Sequence, residues 1–255
     1  MSATEDETTL PPATFTWSLL DILGGLQHPA ISQSTQGLVH KYVHEAEEYV
    51  VKIRGQVPKS ELLREIRFTQ VAGELGVGVV GYIYGRDADL IGFAMPCLRV
   101  IDPTTMTHVD KLVIFHQIRQ IIPRLHHECQ IVHGDIKLSN MLLDSGNTLK
   151  LCDFGTSARM QETKYPTAIS VRWCSPYRLD SLAPRRPLIA NEDIYASGLA
   201  VWELFVGEIP FADIDSDDDE ADLEGQIRSG LRVDVSRIND QEVELYVKEC
   251  LNVFT

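Results

Sequence analysis

The residues with the clearest chemical potential lie in one stretch, His133-Gly134-Asp135-Ile136-Lys137-Leu138-Ser139-Asn140, followed by Asp153-Phe154-Gly155. Asp153 stands 18 positions beyond Asp135, and the residues between read as a strand, a turn at Asp144-Ser145-Gly146-Asn147 and a second strand. Such a hairpin returns two acidic groups and an amide to one place. The oxygens of Asn140 and Asp153 suit Mg²⁺, a hard cation that takes oxygen ligands and keeps several waters. A separate carboxylate, Asp135, can accept a proton from a hydroxyl nucleophile, and Lys137, two residues on, can neutralise a phosphoryl oxygen. Together these parts serve phosphoryl transfer. Any one of them alone is an ordinary turn residue.

Elements of two kinds must position these groups. From Phe15 to Ala94, β-like runs around 38–42 and 49–53 carry β-branched and aromatic residues. Between them and two further strands, expected over 77–84 and 90–94, apolar residues recur at helical spacing through 59–75. Beyond Pro96 the pattern turns helical. A long amphipathic helix is expected over 109–127 with Leu112, Phe115, Ile118, Ile122 and Leu125 on one side, kinked or broken at Pro123. A loop-rich stretch over 131–177 holds most of the polar chemistry, and 194–205, 223–229 and 241–251 read as further helices. A β-rich first part and a helical second part imply an α+β, bilobal architecture with a cleft between the lobes.

Composition narrows the class. The 255 residues suit one domain or a coupled pair of lobes, and an apolar share of 44% is ordinary for a globular chain. The polar, acidic start (1–14) reads as a disordered tail rather than a signal peptide. Five scattered cysteines, none in C-x-x-C spacing, argue against a disulfide framework or zinc site and for an intracellular setting, cytoplasmic or nuclear. A net charge of −14 disfavours nucleic acid and anionic membranes as partners.

The H-G-D-I-K-L-S-N and D-F-G segments resemble the eukaryotic protein kinase superfamily, whose pattern is H-R-D-x-K-x-x-N followed by D-F-G. The resemblance implies that Asp135 is the catalytic base, that Lys137 contacts the γ-phosphate, and that Asn140 and Asp153 hold Mg²⁺. Val50-Val51-Lys52-Ile53 resembles the V-A-I-K strand, making Lys52 the partner of the ATP α- and β-phosphates and Glu65, in preference to Glu61, its helix partner. Phe93-Ala94-Met95-Pro96-Cys97-Leu98 resembles the adenine-holding strand and hinge, with Met95 as gatekeeper. Ser34, Gly37, Val39, Val50, Met95 and Cys97 are thereby expected around the nucleotide. Trp173-Cys174-Ser175-Pro176-Tyr177 resembles the end of the activation segment, and Asp193 to Gly198 with Trp202-Glu203-Leu204 a buried C-lobe helix. The domain is expected over 15–255, as an N-lobe over 15–96 and a hinge and C-lobe over 97–255. Lys137 and Ser170 favour serine and threonine hydroxyls of protein substrates, basic ones among them.

The chain also departs from that pattern. With Val39 on the family's valine, Ser32, Ser34 and Gly37 take the three glycine positions, and the serines are expected to loosen the phosphate grip. Gly76-x-Gly78-x-x-Gly81 precedes a strand, not the helix a dinucleotide fingerprint needs, and reads as a turn and a closely packed strand. Gly134 replaces the Arg that receives a phosphorylated activation segment, so phosphorylation there is expected to matter less. Tyr177 replaces a Glu whose usual Arg partner does not precede Thr255, leaving the C-lobe short and the pair lost together. His133 is expected to pack under the Asp-Phe-Gly turn, and His126 and His127 to be helix-end residues. The acidic run over 213–224 reads as a solvated loop, with substrate docking or phosphorylation of Ser216 as alternatives. Two other functions fit the same residues: a pseudokinase serving as a binding module, and a small-molecule phosphotransferase, which also uses an H-G-D loop.

Overall fold

The structure, a computed structural model, describes residues 10, 13–26, 29–33, 37–165, 169–180, 186–214 and 223–254. Most of the expected tail, Ser34 and Ser216 with its acidic neighbours lie outside the described residues. The fold is α+β, and the chain divides into two compact units, Met1–Cys97 and Leu98–Thr255.

The first unit is built on a six-stranded sheet in the order β1-β5-β6-β4-β3-β2. Its strands are β1 (Phe15–Ser18), β2 (Ser32–Gln33), β3 (Gly37–His44), β4 (Glu47–Arg54), β5 (Gly81–Tyr84) and β6 (Leu90–Pro96). Helices α1 (Leu19–Leu23) and α2 (Lys59–Val71) complete it. Val51 on β4 is fully buried in a cluster with Trp17, Ile22, Tyr42, Ile83 and Ala94. Side chains alternate along a strand, so Lys52 projects to the opposite face.

The strand expected over 77–84 is confined to Gly81–Tyr84. Gly78 takes a positive φ of 76°, and a Cβ on Gly81 would sit 2.7 Å from the Trp17 ring. These glycines are therefore the turn and the closely packed strand their spacing suggests. Unforeseen is β1, which runs parallel to β5 and leads into α1 through a capping box: Asp21 N–H donates to Ser18 Oγ (3.2 Å) and Ser18 N–H to Asp21 Oδ2 (2.8 Å). Four residues are too few for a readable alternation.

The second unit is mainly helical. Its long helices are α3 (His108–His127), α4 (Ala190–Val206) and α6 (Gln241–Leu251), with a shorter α5 over 223–228. Thr107 and Asp110 form a capping box at the start of α3, and Gly207 ends α4 in the left-handed conformation. Of the two outcomes expected at Pro123, a break does not occur: α3 continues to His127. Pro123 and Arg119 are both exposed, so the Arg119 carbonyl deprived of its i+4 donor can be solvated. The small strands are β7 (Arg99–Val100), β8 (Ile131–Val132), β9 (Met141–Leu143), β10 (Leu149–Leu151) and β11 (Ala158–Arg159). They form a three-stranded sheet β10-β9-β7 and a ribbon β11-β8. Helix α4 is buried on nearly every side, Asp193, Tyr195, Leu199, Val201 and Leu204 included.

Candidate active site

In the first unit, β4 and α2 bring Lys52 and Glu65 together. Lys52 Nζ lies 2.6 Å from Glu65 Oε1, and both side chains are 7% exposed. Glu61, one turn earlier, is exposed, so the geometry selects Glu65. The sheet register gathers the other expected residues on the same side as Lys52. Val39 lies opposite Lys52, Gly37 opposite Arg54, and Val50 opposite Met95. Directly opposed residues share a face, which puts Gly37, Val39, Val50, Lys52 and Met95 on one surface. Gly37 has a packing reason as well, because a Cβ there would collide with the Ile53 carbonyl. Cys97 follows β6, its N–H donating to the Glu48 carbonyl (3.3 Å) and its thiol pKa raised, chiefly by burial.

In the second unit, β8 delivers the chain to His133 and the β9–β10 hairpin returns it to Asp153. Asn140 Nδ2 donates to the Asp135 carboxylate (2.9 Å) and to the Asp135 carbonyl (2.8 Å). Lys137 Nζ lies 2.8 Å from Asp135 Oδ2 and donates to Ser170 Oγ at 2.8 Å. Asp153 holds a left-handed φ of 61° at the start of the Phe154–Thr156 turn. His133 is fully buried, 4.7 Å from the Phe154 ring. Its Nε2–H faces the Cys152 carbonyl (3.0 Å) while Nδ1 accepts the Asp135 N–H (3.3 Å). It is a structural group, as expected.

Several supporting residues escaped the sequence reading. His126 is no simple helix-end residue: it is buried, with Nε2 2.8 Å from Asp193 Oδ2. Asp193 in turn accepts the N–H groups of His133 (2.7 Å) and Gly134 (2.8 Å). Burial pushes the Glu203 carboxyl up to about 7, against the opposing pull of the Trp173 N–H, at 3.2 Å, and of Lys137. Arg172 donates to the carbonyls of Pro210, Phe211 and Ile214, tying the end of the activation segment to the loop after α4. Tyr177 stacks on Phe254 at 5.0 Å, with the Arg186 guanidinium 4.2 Å from its ring. No carboxylate stands at position 177, and the Arg186 guanidinium meets an aromatic ring there instead. None of these contacts joins residues close in sequence, so no local signal announces them.

The donor chemistry fits Mg²⁺. With Nδ2 turned to Asp135, the amide oxygen is what Asn140 has left to offer a cation, and Asp153 adds a carboxylate. Among the described residues no three His, Cys, Asp or Glu side chains form a preformed metal cluster.

The fold and this arrangement define a protein kinase domain. The family model for that domain matches residues 97–253, well over half of the chain, and the chain belongs to this family. It is 26% identical over 192 residues to "Mitogen-activated protein kinase kinase kinase dlk-1" of Caenorhabditis elegans, covering 72% of this chain and 20% of that protein. It is 31% identical over 128 residues to mitogen-activated protein kinase kinase kinase 12 of Rattus norvegicus, covering 49% of this chain and 14% of the relative. Over 92 residues it is 36% identical to mitogen-activated protein kinase kinase kinase 13 of Homo sapiens, 35% and 9% of the two chains. The matched stretches span about a fifth or less of these relatives.

Proposed function

We propose that this chain is an ATP- and Mg²⁺-dependent protein kinase that phosphorylates serine and threonine hydroxyls. The observation that carries the reading is the state of Asp135, a carboxylate held between Lys137 and Asn140 at 2.8 and 2.9 Å. One carboxylate oriented by a cation and an amide is equipped to take the proton of an attacking hydroxyl. Lys137, tethered also to Ser170, neutralises charge on the transferring phosphoryl group. Asn140 and Asp153 hold Mg²⁺, which when bound neutralises charge on the β- and γ-phosphate oxygens. Lys52, fixed by Glu65, presents an ammonium to the α- and β-phosphates. Val39, Val50 and Met95 give the same sheet face an apolar surface suited to a flat base, with Ser34, Gly37 and Cys97 as further nucleotide contacts.

Protein substrates follow from the protein kinase relatives, and the Lys137–Ser170 contact favours the serine/threonine type. The acidic net charge of −14 favours basic substrates over nucleic acid and anionic membranes, and the scattered cysteines favour an intracellular setting. No helix among the described residues is long and apolar enough to cross a membrane.

The experiment is Mg²⁺·ATP phosphotransfer to a generic basic protein by wild type and Asp135→Asn. General-base catalysis contributes roughly 10²–10⁴-fold, and a loss of that size with nucleotide binding intact is the expected result. Equal transfer by both proteins would remove Asp135 from its role. No transfer by folded wild type would favour the pseudokinase reading, which rests on the serines of the glycine-rich loop together with Gly134, Tyr177 and the short C-lobe.

A further inference from the structure

Gly134 is the residue through which the backbone enters the proposed base, and it is pinned at both ends. Its N–H donates to Asp193 Oδ1 at 2.8 Å. Its carbonyl accepts from Arg178 Nη1 at 2.9 Å. Arg178 belongs to the end of the activation segment, next to Tyr177, and is only 4% exposed. Its own N–H bonds Ser175 Oγ (3.1 Å), and that hydroxyl donates to Glu192 Oε1 (2.7 Å). A chain of contacts therefore runs from Glu192 on α4, through Ser175 and Arg178, to the Gly134 carbonyl.

The cost of this arrangement is visible. Nη2 of Arg178 is buried without a hydrogen-bond partner among the described residues. Burial raises the Glu192 pKa, opposed by the Ser175 hydrogen bond and the Arg178 charge. A buried cation with one arm unsatisfied is destabilising by itself. The family pattern ties the activation segment down through a Glu at position 177. In this chain the neighbouring residue makes a tie of opposite charge, and makes it to the catalytic loop itself.

We infer that Arg178 is a positioning residue that clamps the Gly134 carbonyl, and thereby sets the orientation of Asp135, from the end of the activation segment. The inference rests on Asp135 being the base. With both ends of residue 134 held, its φ of +80° is fixed, and the direction in which the chain presents Asp135 is fixed with it.

The test compares wild type with Arg178→Lys, Arg178→Met and the double variant Arg178→Met/Glu192→Gln, which leaves no lone buried charge. Each is measured for melting temperature, amide hydrogen exchange of residues 133–137, and kcat and KM for ATP. The double variant is expected to melt near wild type while the Gly134 and Asp135 amides lose protection. Its kcat should fall about 10²-fold, the scale of a misplaced reacting group, with KM for ATP changed less than about twofold. Arg178→Lys, which keeps a cationic donor, should recover much of the kcat that Arg178→Met loses. Wild-type exchange and kcat in a folded double variant would overturn the proposal, as would equal losses in the Lys and Met variants that merely track melting temperature. If wild type itself transfers no phosphate, the proposed function falls, and the exchange data alone decide the clamp: unchanged protection at Gly134 and Asp135 sinks it.

Discussion

The catalytic loop and the divergent glycine-rich segment make a useful contrast. In the loop, His133, Gly134, Asp135, Lys137 and Asn140 each engage a partner through backbone or side chain, several of them buried. In the glycine-rich segment, Ser32 and Gln33 are exposed, and the ribbon rests on two residue pairs, Ser32 with Val39 and Gln33 with Leu38. One region over-determines the groups proposed to do chemistry. In the other, proposed to cover phosphates, the contacts among the described residues are a short backbone ladder. The difference teaches that erosion of the glycine pattern need not reach the chemical centre, since the two regions draw on separate sets of contacts.

Breaking the well-held side should have the largest effects. Lys52→Met leaves Glu65 buried without its cation, which costs roughly 3–5 kcal/mol for a buried pair. Chemical denaturation should show that loss, and the variant should bind ATP poorly. A stability change under 1 kcal/mol would mean that solvent or another cation reaches Glu65.

Restoring the family residue by Gly134→Arg should harm rather than help. A Cβ there would meet Leu188 Cδ2 at 2.7 Å, and the backbone holds φ at +80°. A destabilisation of about 1–3 kcal/mol is expected for a side chain forced into such a conformation, read as a lower denaturation midpoint. A neutral outcome would show that the loop can refold around the new residue, and would weaken the contrast.

Glu203 gives a smaller, pH-dependent test. Its folded pKa of about 7 lies above the ordinary value of 4.5, so between these values the folded state holds a proton that the unfolded state has released. Stability from this group is therefore largest at low pH and declines as pH rises through that window. Glu203→Gln should flatten that decline between about pH 5 and about pH 7, measured as melting temperature against pH. An unchanged slope would assign the pH dependence elsewhere.

The smallest effect belongs to the loosely held side. Ser32→Gly with Ser34→Gly should lower KM for ATP severalfold and leave kcat nearly unchanged, because closer backbone approach strengthens binding without touching the base. A matching rise in kcat would tie the two regions together after all.

Much of the site was legible because its signals are local. The spacing from Asp135 to Asn140 and Asp153 survives in the one-dimensional order, and so does the β-branched run that carries Lys52. The sequence already favoured Glu65 over Glu61; that Glu65 is buried against Lys52 while Glu61 is exposed came from the packed helix. That α3 runs on past Pro123 is a feature of the folded helix, where Arg119 and Pro123 are exposed. His126, Glu203 and Arg178 gave no signal, because a lone histidine, glutamate or arginine becomes informative only beside its partner.

By itself the sequence determined the family, the α+β class and the identity of the groups proposed for phosphoryl transfer, since residue type and spacing are written directly in the chain. Only the tertiary structure decided which side chains are buried together: Lys52 with Glu65, His126 with Asp193, and Arg178 with the Gly134 carbonyl. The last two pairings are separated by 67 and 44 positions. Contacts at such range are set by how helices and strands pack, and packing depends on the whole core rather than on any window of residues.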